Sequence, residues 1–137
     1  MTPQPRDRGT ISMFTVLFTL VVMLLGGLVV DGGTAIHARQ RAYDIAEQAA
    51  RAGADDIDEN TLRNTGKAQV DTATACGKVS DLVAAYGGQV TGFSCDPQAG
   101  QVTVTVHINV STTLLGMIGF NTFNMQGQAS AHPEEGA

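Results

Sequence analysis

Between Gly9 and Val30 the chain carries no charged residue, and from Ile11 to Val30 the apolar run is interrupted only by small or weakly polar side chains. Twenty residues of helix rising about 1.5 Å each cover about 30 Å, the hydrocarbon thickness of a bilayer. A cleavable signal carries a shorter apolar region followed by a small-x-small site, whereas this run passes straight into a further helical pattern. A buried core helix is the other alternative, but so much apolar surface would be hard to enclose in so small a domain. The pattern predicts a retained transmembrane helix over residues 11–31, preceded by a short tail, residues 1–10.

Past Gly33 the composition changes while the helical period persists. Ala35, Ala38, Ala42, Ile45, Ala49 and Ala52 are spaced 3, 4, 3, 4 and 3, with Arg39, Arg41, Asp44, Glu47 and Arg51 mostly elsewhere. This is an amphipathic helix with a small-residue seam, assigned to residues 32–60. Within the span, Ser12, Thr15, Thr19, Gly26 and Gly33 form a second stripe, spaced 3, 4, 7 and 7. Small residues let helix backbones approach closely in lipid, so this stripe reads as a packing face. The two lines are offset by two residues, or about 200° at about 100° per residue. Without a kink at Gly32 and Gly33, the lower and upper halves of one long helix would face different partners.

The remainder, residues 61–137, reads as an α+β head. After the acidic turn "DDIDEN", apolar spacing predicts a helix from Lys67 to Tyr86, closed by Gly87 and Gly88. The period then switches to two: Val102, Val104, Val106, Ile108 and Val110 alternate with Gln101, Thr103, Thr105, His107 and Asn109, a strand with one apolar and one polar face. "DPQAG" is turn chemistry, placing the preceding hairpin strand at residues 89–95. Phe123, Met125, Ala129 and Ala131 share a parity and mark a third strand after the apolar connection "TTLLGMIGF". The expected fold is a small antiparallel sheet packed on helices, pilin-like, with a long N-terminal helix.

At 137 residues the chain has room for one modest domain besides the span. Its net charge of -5, with six basic against twelve acidic residues after Val30, argues against nucleic acid, whose phosphates need a basic face. Arg6 and Arg8 precede the span, and Arg39, Arg41 and Arg51 follow it, so the Lys/Arg count does not itself favour an N-inside topology. The short tail and the two cysteines point instead to a cytoplasmic N-terminus and an extracytoplasmic head. In a small exported domain Cys76 and Cys95 would most simply form a disulfide. It would close a loop of about 20 residues and contribute about 3 kcal/mol. Two buried thiols in a cytosolic domain are the alternative.

Sites for chemistry do not assemble. His37, His107 and His132 are scattered, and two cysteines give no zinc spacing. Asp44 and Glu47 lie near Arg39, Arg41 and Arg51, which suits solvated ion pairs. Asp56, Asp58 and Asn60 match the first positions of a calcium loop, but Thr61 stands where Gly is needed and Lys67 where a bidentate Glu is required. No catalytic residue, metal, cofactor or small-molecule substrate is expected.

The ordered set "DRG", the apolar run, "VVDGG", "ARQRA" and "AEQAARAGA", covering residues 8–54, resembles the N-terminal region of TadE/TadG-like proteins of bacterial tight-adherence (Flp) pilus systems. The resemblance implies a membrane-anchored pseudopilin or minor pilin-like subunit whose partners are other pilus or secretion subunits. It also implies a possible processing site between Gly9 and Thr10. In the TadE-like branch a Glu follows five residues after the cleaved Gly; this chain has Phe14 there. The missing carboxylate favours the TadG-like branch, in which the helix stays in the membrane and the head supports assembly from outside. If the chain were processed, it would enter an extracellular pilus. A tethered binding module unrelated to pili, using the polar strand face of Thr103, Thr105, His107 and Asn109, is the competing expectation.

Overall fold

The computed structural model describes residues 8–134; the predicted tail falls outside it for residues 1–7, and Gly9 and Thr10 lie in the first turn of the first helix. That helix, α1 (Arg8–Ala54), runs for 47 residues, about 70 Å, and passes unbroken through Gly32 and Gly33. The large apolar side chains of its lower half are exposed, Met23 by 76% and Val29 by 75%. Its mean hydropathy reaches 2.6, long and apolar enough to cross a membrane. Its upper half is covered, with Ala42, Ile45, Ala46, Ala49, Ala50 and Ala54 buried.

The helix stops at Ala54 rather than at residue 60. Ile57 leaves it to form a bridge with Val70. Asp58 then caps a short second helix, α2 (Glu59–Thr65), accepting from the Asn60 and Thr61 amides at 2.9 and 3.3 Å and from the Thr61 hydroxyl at 2.6 Å. Gly66, at φ 71°, ends α2 in the left-handed region that suits glycine. The next helix, α3 (Ala75–Ala85), begins well after Lys67, because the intervening chain is paired elsewhere. The Val70 amide donates to the Ala99 carbonyl and the Asp71 amide to the Asp56 carbonyl, at 3.0 and 2.8 Å.

The sheet is an antiparallel meander in the order β1 (Gly92–Gln98), β2 (Gln101–Ser111), β3 (Thr122–Ala131). The first strand sits later than the predicted 89–95, since Asp96–Gln98, read as turn, extend the ladder and leave Ala99–Gly100 as the turn between Gln98 and Gln101. Pro97 is tolerated there because β1 is an edge strand. On β2 the alternation holds: Val102, Val104, Val106 and Ile108 are buried. They face the Ala seam of α1, so alternating strand and small-residue helix form one core.

Two contacts draw the layers together. Gly127 on β3 lies so close to α1 that an added Cβ would fall 2.2 Å from the Tyr43 amide nitrogen. The Cys76–Cys95 disulfide ties α3 to β1 with Cα atoms 5.9 Å apart, the pairing expected from the sequence.

Candidate functional site

The connection from β2 to β3, residues 112–121, folds down alongside α1 instead of turning tightly. It contains a 3-10 turn, Leu115–Ile118. The first amides of any helical turn lack partners in their own backbone. Here Asp31 supplies them: one carboxylate oxygen accepts from the Thr113 amide at 3.0 Å, the other from Leu114 at 3.0 Å and Leu115 at 2.7 Å. Asp31 is 1% exposed and the only polar or charged residue fully buried among the described residues. Its backbone carbonyl accepts from the Thr34 hydroxyl at 2.7 Å. A carboxylate at the upper end of the apolar run thus clasps a loop more than eighty residues away in sequence.

The rest of the loop is also internally paired. The Thr112 amide donates to the Asn121 carbonyl, Met117 to Leu114, Gly119 to Gly116 and Phe120 to Leu115, while the Thr112 hydroxyl donates to the Phe120 carbonyl. Gly119, at φ 101°, supplies the left-handed turn at the end. Gly27 is buried beneath Leu114, whose Cβ would lie 3.1 Å from a Cβ at that position. Below it, Leu20, Met23 and Leu24 of α1 and Met117 and Ile118 of the loop line an apolar groove of about 510 Å³.

A second cleft, of about 640 Å³, lies above Asp31 and has a mixed lining, with His37, Arg41 and Asp44 of α1 and Asn109 beside the apolar Ile108 and Val110. Among the described residues no three His, Cys, Asp or Glu side chains converge as a metal site. Of the acidic run, Asp58 caps α2 and Asp56 accepts from the Thr74 hydroxyl. Glu47 pairs with Arg51 on the exposed flank of α1, and Gln48 accepts from the Tyr86 hydroxyl at 2.6 Å.

The sequence-derived stripes have different fates. Ser12, Thr15, Thr19 and Gly26 stay exposed, and Gly26 and Gly33 have nothing within 4 Å of a notional Cβ. The hydroxyls of Thr15 and Thr19 donate to the carbonyls one turn back, at 2.8 Å each. They offer small size to a neighbour more than free donors. The seam of Ala35, Ala38, Ala42, Ile45, Ala49 and Ala52 is corrected as a face for other subunits. The head fills it, and Ala42, Ile45 and Ala49 are at most 2% exposed.

Asp31 and Gly27 were missed as contact residues, although the seam points to them. Counting back from Ala38 by 7 and then 4 reaches Asp31 and Gly27, so one line faces the head from the span upward. The polar face of β2 is occupied in part by its own sheet, with the Thr103 and Ser130 hydroxyls 2.8 Å apart.

Residues 9–56 match the family described as putative Flp pilus-assembly TadE/G-like, which associates this segment with Flp pilus assembly. The matched stretch covers α1 from its second residue, includes Asp31 and ends just beyond the helix. No match was found among curated proteins or among solved structures.

Proposed function

We propose that this protein is a membrane-anchored, pilin-like assembly subunit of a tight-adherence (Flp) pilus or related secretion machine. Its role is structural rather than catalytic. The N-terminus lies in the cytoplasm, α1 crosses the bilayer once, and the disulfide-bonded head stands outside. The observation that carries this reading is the division of α1: an apolar half whose large side chains are exposed, covered by protein only where the 112–121 loop lies on it, continues without a break into a half whose small-residue seam is buried by the head. An exposed apolar surface of that extent calls for lipid or protein neighbours, and the family match over residues 9–56 supports pilus subunits among them.

Lateral association would use the open stripe of Ser12, Thr15, Thr19, Gly26 and Gly33, where close backbone approach is available. Phe14, in place of a Glu, favours a subunit that keeps its span over one that is cut at Gly9 and polymerised. The test is co-purification from native membranes of the unaltered chain and of Gly26→Leu, with the N-terminal sequence of the recovered protein. The expected result is an uncut chain in the membrane and loss of pilus subunits in the variant. A chain starting at Thr10 in sheared extracellular material would make it a processed pilin, and recovery of no pilus component would remove the assembly role.

A further inference from the structure

We infer that the 112–121 loop is a second membrane element, inserted into the outer half of the bilayer beside α1 and held there by Asp31. The inference rests on α1 being the membrane span.

The geometry leaves the loop little choice once α1 is embedded. Leu114 lies on Gly27, and Met117 and Ile118 share a groove with Leu20, Met23 and Leu24. Leu20 is eleven residues below Asp31, about 16 Å along the helix, whereas half the hydrocarbon thickness is about 15 Å. Any segment flanking that stretch of helix occupies the same depth. Its outward surface is apolar: Met117 is 83%, Phe120 60% and Ile118 55% exposed. No Asp, Glu, Lys or Arg occurs between Asp96 and Glu134.

Irregular backbone at such depth is tolerated only where its polar groups find partners. The amides of residues 112, 113, 114, 115, 117, 119 and 120 all have acceptors within the protein. Three of those amides donate to the carboxylate of Asp31. The joint exposure of Met117 and Phe120 suits hydrocarbon rather than water. The occupant of the groove and the outer loop surface is lipid acyl chain, because the surface is continuous with the lipid-facing side of α1.

The chain contains no tryptophan, so single indoles report depth cleanly. The full chain is reconstituted in phosphatidylcholine and phosphatidylglycerol vesicles in which part of the lipid is brominated at mid-chain. Indoles are introduced one at a time by Met117→Trp, Phe18→Trp in the span and Phe93→Trp on β1, with Phe120→Trp as a second loop probe. The bromolipid should quench both loop probes at least half as strongly as Phe18→Trp and spare Phe93→Trp, which aqueous iodide quenches instead. Adding Asp31→Ala should cut quenching of the loop probes at least twofold and leave Phe18→Trp unchanged.

Loop probes quenched by iodide, with Phe18→Trp still quenched by bromolipid, would overturn the inference and leave the anchor intact. Loop probes shielded from both quenchers would overturn lipid as the occupant and indicate a second copy. Failure of bromolipid to quench Phe18→Trp would refute the anchor itself.

Discussion

Gly127→Ala should damage this fold more than any other single added methyl group in the head. The notional Cβ falls 2.2 Å from the Tyr43 nitrogen, 2.4 Å from the Ala42 carbonyl carbon and 2.5 Å from the Tyr43 Cα. All three are backbone atoms of a helix interior, so no rotamer can move aside. Ordinary contact begins near 3.4 Å, so β3 and α1 must part by about 1 Å. A gap of that size forfeits a quarter to a half of the dispersion energy of every atom pair across it. The pairs affected include Ala42, Ile45 and the β2 valines.

Overpacking a core costs about 1–3 kcal/mol where side chains can adjust, so about 3 kcal/mol or more is expected here. With a urea slope of about 1.5 kcal/mol per molar, the head's midpoint falls by about 2 M. Gly53→Ala, whose Cβ would meet the Val79 and Val102 methyls at 2.9 and 3.1 Å, should lose about 1–2 kcal/mol, since those side chains can shift. Gly77→Ala, exposed on α3 with nothing near it, should gain about 0.5–1 kcal/mol from the helix preference alone. The assay is urea unfolding of the full chain in detergent, followed by circular dichroism. A midpoint for Gly127→Ala within 0.3 M of the parent, taken as about 0.5 kcal/mol, would refute the close approach of β3 to α1.

Three further outcomes follow from the same geometry. Asp31→Ala strips the acceptors from three amides, each bond to a carboxylate being worth about 1.5–3 kcal/mol, so Leu114 and Leu115 should exchange hydrogen at least about tenfold faster while the β2 amides keep their protection. Equal protection in parent and variant would dismiss the clasp. The Asp58 carboxyl is held below the usual carboxylate range by the Thr61 hydroxyl, then by the Thr61 and Asn60 amides. The folded state therefore binds fewer protons than the unfolded one, and this stabilisation, present above the unfolded pKa, is lost as pH falls through the folded value. Unfolding midpoints of Asp58→Asn should vary less than the parent's below about pH 4, and parallel curves would contradict the cap. Replacing Cys76 and Cys95 together by serine should cost about 3 kcal/mol, read as a lower thermal midpoint; an unchanged midpoint would show that the bond adds nothing.

What the pattern of residues could disclose depended on how local its cause was. The β2 alternation and the Ala seam were readable because each is a periodicity set by one buried face. The end of α1 was not, since "DDIDEN" carries no strong stop and the chain leaves the helix for a long-range bridge between Ile57 and Val70. The same bridge region delayed α3, and an edge position let Pro97 stay in a strand. The seam spacing carries Asp31 onto the head-facing line, but that a loop eighty residues away supplies its partners is something no spacing reveals. Even so, a lone carboxylate at the margin of an apolar run is expensive without a partner. The uncharged segment "TTLLGMIGF" was the other half of that signal. The seam was read as a surface for neighbours because periodicity identifies a buried face without saying who buries it.

The unbroken passage of α1 through Gly32 and Gly33 has a steric corollary. With Asp31 and the Ala seam fastening the head to one side of the helix, the head has no swivel, and its azimuth is fixed by the rotation of the apolar half of α1. Gly26 and Asp31 are five residues apart, about 140° around the axis at about 100° per residue. A neighbour seated on the glycine stripe therefore meets the head obliquely, from its flank. Whatever sets the rotation of that apolar half also decides which side of the three-stranded sheet is turned toward the next molecule.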